Sequence, residues 1–142
     1  MKEKEVIWKN LIDFENYYQV SNTGLVRRKL APTYYKDGRV AYFSQTILKP
    51  GKDRKGYLRV FLSVESKQYS RRVHRLIAKT FITNINEYPQ VNHKDCNKQN
   101  NNVENLEWCT NLQNMRHAFQ NGMFKERDKT TIKNLGKYAK NK

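Results

Sequence analysis

Residues 91–118 read VNHKDCNKQNNNVENLEWCTNLQNMRHA. The pattern predicts a short strand at 90–93, a polar loop at 94–105 and a second strand at 106–109. The loop is too rich in Asn to pack against a core. Thr110 begins a capping-box pattern, so we expect a helix to follow the second strand.

Chemically useful side chains lie at the junctions of these elements. His93 ends the first strand, Asn105 precedes the second, and Asn114 and His117 lie on the helix. Positions 114 and 117 are three apart and therefore share a helix face. A neutral imidazole can take a proton from water at pH 7, and Asn oxygens can orient catalytic groups or bind a hard metal ion.

The composition limits the function classes. The chain has 142 residues and a net charge of +15, which allows one domain or two small modules. A hydrophobic fraction of 37% argues against an enzyme with a deep apolar pocket for a small-molecule substrate. No apolar run is long enough for a membrane span, and two cysteines are too few for a disulfide framework. The charge predicts a polyanionic partner, most simply nucleic acid.

The positive charge is segregated along the chain. Residues 24–80 contain fifteen Lys and Arg and three acidic residues, a net charge of +12. Residues 81–124 have a net charge of −1, and residues 125–142 one of +5. This division indicates a nucleic-acid enzyme in which basic segments hold phosphates and a nearly neutral segment performs the chemistry.

The first half of the chain reads as short strands and turns. Asn22-Thr23-Gly24 is a hairpin turn signal, and Lys36-Asp37-Gly38 is a second one. Alternating residues predict strands at 57–63 and 68–73. The spacing of apolar residues in 74–82 predicts a helix.

The motifs resemble the HNH endonuclease family, in particular the branch of phage and intron-encoded homing endonucleases. They are, in order, VHRL at 73–76, NHKD at 92–95, ENLEW at 104–108, and then Asn114 and His117. The upstream stretch YYQVSNTGLVR, residues 17–27, resembles the β-rich DNA-binding module that often precedes HNH domains.

The resemblance implies an α+β fold. A small β-rich DNA-binding module would occupy residues 1–65 and an HNH ββα-metal nuclease domain residues 66–124. Residues 125–142 would form a basic C-terminal extension.

The resemblance also implies roles for single residues. His93 would be the general base, and Asn105 would form hydrogen bonds across the loop that help to fix it. Asn92 and Asn114 would hold one divalent ion, Mg²⁺ or Mn²⁺. His117 is a further candidate ligand that could replace or assist Asn114.

Basic residues on turns and ribbon edges are the predicted DNA contacts, because Lys and Arg in such places reach backbone phosphates. The predicted contacts are His74 and the basic residues Arg27, Arg28, Lys52, Arg54, Lys55, Arg59, Arg71, Arg72 and Arg75.

The predicted function is metal-dependent cleavage of double-stranded DNA by a monomer or weak dimer. Membranes and small-molecule substrates are not expected partners, and the expected location is the cytoplasm of a bacterial host, with a phage as the source. The alternative is an HNH-derived DNA-binding protein with weakened or lost catalysis. Its support is that Asn92 and Cys96 stand where related sequences often have Asp and Gly. An RNA-binding module is less well supported, because no RNA-recognition motif is visible.

Overall fold

The computed structural model describes residues 4–123, which form eleven short strands, two α-helices and one 3-10 helix. The tail predicted at 125–142 lies outside the described residues. The strands are β1 Trp8–Asn10, β2 Tyr18–Ser21, β3 Val26–Arg28, β4 Ala31–Tyr34, β5 Val40–Phe43, β6 Thr46–Ile47, β7 Gly51–Lys52, β8 Leu58–Val64, β9 Lys67–Arg72, β10 Gln90–His93 and β11 Leu106–Cys109. The helices are α1 Val73–Phe81 and α2 Asn111–Gln120, and the 3-10 helix is Val103–Asn105.

All strand pairs in the described residues are antiparallel. One sheet has the order β1-β2-β3-β6, a second has β7-β8-β9, and the pairs β4-β5 and β10-β11 each form a ribbon. Ribbons of two strands are marginally stable alone, so they depend on packing against other elements.

The two predicted hairpin turns are confirmed. Gly24 connects β2 to β3 with a φ of +96°, and Gly38 connects β4 to β5 with a φ of +83°. Glycine suits both positions because a left-handed φ costs it nothing. The Ser21 hydroxyl closes the first turn by accepting a hydrogen bond from the Leu25 amide at 3.0 Å.

One hydrophobic core joins both halves of the chain. Val20 of β2, Leu62 of β8 and Ile77 of α1 are fully buried and belong to the same cluster, which also includes Leu106 of β11. The boundary predicted at residues 65 and 66 falls in the tight turn of the β8–β9 hairpin. Division into two modules stays a prediction, and the described residues of both segments pack together.

The predicted strand–loop–strand–helix segment is confirmed, with strands at Gln90–His93 and Leu106–Cys109. The capping box of α2 is also present, because the Thr110 hydroxyl accepts from the Gln113 amide at 3.1 Å and the Gln113 side chain accepts from the Thr110 amide at 2.8 Å. Among the described residues, no helix is long and apolar enough to cross a membrane.

Candidate active site

A cleft of about 280 Å³ brings most of the sequence-predicted catalytic residues together between β10 and α2. It is lined by Asn92 and His93 from the strand and by Asn114 and His117 from the helix. Asn105 is not part of its lining. Four side chains that lie up to 25 positions apart in sequence therefore face one space.

His93 is held by a neighbour that the sequence analysis did not single out. Its ring is 4% exposed, and Nε2 lies 3.0 Å from Oδ1 of Asn101. A carboxamide oxygen only accepts, so Nε2 carries the proton and Nδ1 keeps a free lone pair. Burial lowers the pKa of His93 below its usual value of 6.5, and the ring is therefore neutral and able to accept a proton near pH 7.

The expectation that the loop is too rich in Asn to pack was wrong at Asn101. This residue is only 4% exposed. It lies between Asn100 and Asn102 in a run of three identical side chains, so no local pattern distinguishes it. It lies against a distant turn of the chain, because a Cβ added at Gly24 would be 3.0 Å from its backbone.

Asn105 closes the loop rather than contacting His93. Its Oδ1 accepts from the Asp95 amide at 3.0 Å, and its Nδ2 donates to the Asp95 carboxylate at 2.9 Å and to the Asn100 carbonyl at 2.8 Å. Hydrogen bonds, the strongest from the Asn100 side chain, lower the pKa of Asp95. The ionised carboxylate and Asn105 together fix the path of the loop that follows His93.

The Asn92 side chain lines the cleft with one end of its amide held by Glu107. The side chain is 7% exposed, and Nδ2 donates to the Glu107 carboxylate at 2.9 Å. Glu107 is the cross-strand neighbour of Asn92 in the β10–β11 ribbon. A carboxylate only accepts, so it fixes the orientation of the amide and leaves Oδ1 available to a ligand. Sequence reasoning missed Glu107, because the pairing depends on the register of two strands that a long loop separates.

His117 and Cys96 form a pair at the rim of the cleft. The Cys96 Sγ lies 3.7 Å from Nδ1 of His117, and Nε2 of His117 donates to the Lys94 carbonyl at 3.0 Å. Both ring nitrogens are thus engaged, so metal ligation by His117 would require it to give up one contact. The backbone of Cys96 has a φ of +61°, as expected where related sequences have Gly.

Comparison with known proteins gives two family matches. Residues 71–116 match the HNH endonuclease family and residues 7–63 match the NUMOD4 motif. Uncharacterized HNH endonuclease L245 of Acanthamoeba polyphaga mimivirus is 53% identical over 83 residues, which are 58% of this chain and 25% of that protein. DNA endonuclease I-HmuI of Bacillus phage SP01 is 36% identical over 115 residues, which are 81% of this chain and 59% of that protein.

A solved structure of the HNH homing endonuclease I-HmuI, which describes its DNA binding and cleavage, matches this chain with a TM-score of 0.68 and 32% sequence identity. The match covers 92% of this chain and 68% of that chain. The chain belongs to the HNH endonuclease family. The predicted family and the mixed α and β fold are confirmed. The chain spans only 25% and 59% of the length of the two curated relatives above.

The oxygens of the HNH cleft suit a hard divalent cation. In residues 4–123 no three His, Cys, Asp or Glu side chains are grouped so that they could hold a metal. The cleft offers instead the free Oδ1 of Asn92 and the carboxamide of Asn114. Neutral oxygens are ligands for Mg²⁺ and Mn²⁺, and such a site gains affinity when a phosphate adds anionic oxygens.

A second histidine of the HNH chain lies next to His93. His74 is the second residue of α1 and is 4% exposed, and its ring centroid lies 5.0 Å from that of His93 and 4.9 Å from that of Tyr57. Burial, with the neighbouring His93 as the next cause, lowers the pKa of His74 to about 3. DNA contact by His74 stays a prediction, and its burial leaves it little surface for a phosphate.

The predicted DNA contacts of the HNH chain differ in exposure and in their internal partners. Lys52, Arg54, Lys55, Arg71 and Arg75 are exposed, and Arg71 also donates to the Ser70 carbonyl at 3.1 Å. Arg72 binds Asp53 at 2.8 Å and stacks over Tyr57, and Arg75 donates to the Pro89 carbonyl and lies over Trp108. Arg27 donates to Gln19 and stacks on Trp8, and Arg28 donates to Thr33. Arg59 is half-buried, with an Nε that has no hydrogen-bond partner among the described residues.

Proposed function

We propose that this HNH chain is a metal-dependent DNA endonuclease of the homing type, which hydrolyses phosphodiester bonds in double-stranded DNA. The observation that carries the proposal is the cleft that joins the neutral His93 to Asn92 and Asn114. The exposed basic residues of the β7–β8 region add support, as does the similarity to I-HmuI. The number and kind of metal ion, one Mg²⁺ or Mn²⁺, are part of the proposal.

The cleavage step begins with a water molecule beside Nδ1 of His93. Nδ1 accepts a proton from this water while its oxygen attacks phosphorus, and the bond from phosphorus to the 3′ oxygen breaks. The leaving oxygen takes a proton from solvent, and His93 later returns its own, so the products have 5′-phosphate and 3′-hydroxyl ends. The Asn101 oxygen holds Nε2–H throughout and stabilises the imidazolium.

A divalent ion bound by Asn92 and Asn114 would supply positive charge for the phosphate oxygens. Glu107 would then act on the ion only through the orientation of Asn92. His117 and Asn105 would support the loop at residues 94–105 rather than bind the ion.

The DNA would be held by phosphate contacts from the basic residues between positions 24 and 80. Lys52 at the end of β7 and Arg54 and Lys55 in the turn after it are exposed, and together they form the basic loop. Lys98 lies five residues after His93 in the catalytic loop at residues 94–105, and it donates to the Lys55 carbonyl at 2.8 Å. This hydrogen bond connects the basic loop to the catalytic loop. Phosphates bound there would bring the DNA backbone close to the cleft.

We also propose that the protein is phage-encoded and acts in the cytoplasm of a bacterial host, and the relative in a Bacillus phage supports the phage origin. We further propose that it acts as a monomer or a weak dimer. One catalytic centre reaches one strand in each encounter, so a monomer would nick.

Conversion of supercoiled plasmid to the open-circular form tests the activity. We expect nicking in the presence of Mg²⁺ or Mn²⁺ and none in excess chelator, because the neutral cleft needs an added charge at the phosphate. DNA binding is measured in parallel by fluorescence anisotropy. DNA binding without nicking under any divalent metal would contradict the endonuclease proposal.

That outcome would favour the second candidate, a DNA-binding protein without catalysis. Asn92 is the observation behind it, because an uncharged ligand binds a divalent ion more weakly than a carboxylate does. Asn92→Asp tests the point directly. Nicking that appears only in this variant would assign the loss of activity to residue 92.

Glu107→Gln is expected to raise the metal concentration needed for half-maximal nicking by about 10-fold. A Gln side chain can donate as well as accept, so it no longer fixes which end of the Asn92 amide faces the cleft. The plateau rate at saturating metal should change much less. The measurement is a metal titration of plasmid nicking.

The matched control is Glu104→Gln, because Glu104 is an exposed carboxylate paired with Lys4. It removes the same charge a few residues away without touching Asn92. Equal metal dependence in the two variants would contradict the orienting role of Glu107.

A further inference from the structure

The turn between β2 and β3 lies directly against the catalytic loop. A Cβ atom added at Gly24 would lie 3.0 Å from the carbonyl carbon, the oxygen and the Cβ of Asn101. Two residues away on each segment, the Val103 amide donates to the Asn22 carbonyl at 2.9 Å. The turn and the loop therefore meet through a close steric contact and a backbone hydrogen bond.

Asn101 depends on this contact because its own amide is poorly anchored. Its Oδ1 accepts from His93, while its Nδ2 is buried with no hydrogen-bond partner among the described residues. The side chain has one hydrogen bond, through Oδ1, and the Asn101 backbone amide donates to the Gln99 carbonyl at 3.1 Å. Packing against the backbone and Cβ of Asn101 therefore adds to what fixes its position.

The turn can supply this packing because it is itself well fixed. The Asn22 amide donates to the Ile7 carbonyl at 3.0 Å, and the Asn22 Oδ1 accepts from the Ile7 amide at 2.9 Å. The Asn22 Nδ2 donates to the Glu5 carbonyl at 3.0 Å. The residue thus uses its backbone and both ends of its side chain to tie the turn to the segment that leads into β1.

We propose that Gly24 is a positioning residue for DNA cleavage, which acts through Asn101 on the orientation of His93. The turn at residues 22–24 is then the place where the N-terminal segment sets the geometry of the catalytic base. This inference rests on the proposed endonuclease function. It assigns to the N-terminal segment a part in the chemical step besides its part in holding DNA.

The competing explanation is that Gly24 is needed only for its left-handed φ. Gly38 separates the two explanations. It has a φ of +83°, also lies in a hairpin turn, and a Cβ added there meets no atom within 4 Å. Alanine at either position carries the strain of a positive φ, and only alanine at position 24 meets Asn101.

The test compares Gly24→Ala with Gly38→Ala. We expect Gly24→Ala to lower kcat for nicking by about 10- to 100-fold, since a displacement of about 1 Å in a catalytic group has effects of this size. Its KM and DNA affinity should stay close to those of Gly38→Ala. A kcat within about twofold of that of Gly38→Ala, in a folded protein, overturns the proposal.

A readout independent of cleavage is the exchange of the His93 Nε2 proton, followed by NMR of the three histidine rings. The proton should exchange faster with water in Gly24→Ala than in Gly38→Ala. If the parent protein does not nick DNA, the endonuclease proposal fails, and this exchange rate still decides the positioning proposal. Equal exchange rates in the two variants overturn it.

If Gly24→Ala does not fold, Asn22→Ala tests the same positioning proposal. It introduces no clash and removes the side chain that ties the turn to residues 5 and 7. Its control is Asp37→Ala, which removes the carboxylate that accepts from the Arg39 amide in the β4–β5 turn. We expect faster exchange of the His93 proton and a lower kcat only in Asn22→Ala, and no difference between the two overturns the proposal.

Discussion

His93→Ala is expected to lower the rate of plasmid nicking by about 10²- to 10⁴-fold, the usual contribution of a general base. The reason is the geometry of the ring. Its Nε2 is bound to Asn101, and its free Nδ1 is the one unprotonated imidazole nitrogen that the described cleft offers to a water molecule. DNA affinity should change little, because the ring is buried and carries no charge. Nicking and anisotropy measured on the same preparation test both statements.

His117→Ala is the matched control for this experiment. It removes a ring from the same cleft, but one whose two nitrogens are occupied by Cys96 and the Lys94 carbonyl. Its rate should stay well above that of His93→Ala. Nicking at the parent rate in His93→Ala would reject His93 as the base, even if the protein proves to be a nuclease.

Acid is expected to unfold this protein through His74. The pKa of His74 is about 3 in the folded state and about 6.5 in an unfolded chain. Below pH 6.5 the unfolded state binds a proton that the folded state does not. The contribution of this group to stability is therefore complete above about pH 6.5 and is lost as the pH falls toward 3, by up to about 5 kcal/mol.

Urea unfolding of the parent and of His74→Phe measures this effect. When the pH falls from about 7.5 to about 4.5, the titration of His74 should lower the free energy of unfolding of the parent by about 3 kcal/mol. His74→Phe keeps an aromatic ring against Tyr57 and cannot titrate, so its stability should fall less over the same range. An equal loss in both proteins would show that other groups cause the acid sensitivity.

Local signals in the sequence predicted the elements of the candidate site well. The strand at 90–93, the strand at 106–109 and the capped helix after Thr110 depend on turns, caps and apolar spacing within a few residues. Turn glycines such as Gly24 and Gly38 are equally local as predictions, because a positive φ in a tight turn is enough to place a glycine there. The family resemblance supplied the roles of His93 and Asn92.

Contacts between distant segments account for what sequence reasoning did not reach. Among three consecutive Asn residues, Asn101 is distinguished by its contact with Gly24, which lies 77 positions earlier. Glu107 reaches Asn92 through the register of two strands separated by a loop. The burial of His74 follows from the packing of α1 beneath Tyr57 and His93. None of these pairings has a periodicity that a single sequence could reveal.

The hairpin of β8 and β9 has a consequence for how such proteins can recombine. Its two strands pair from Arg59 with Arg72 to Val64 with Lys67, and the turn between them separates the NUMOD4 match from the HNH match. A genetic crossover at this turn would leave each product with one strand of the pair and half of a shared core. We therefore expect the two matched segments to be exchanged together, and a shuffled descendant to keep its fold only if the new partner restores the missing strand.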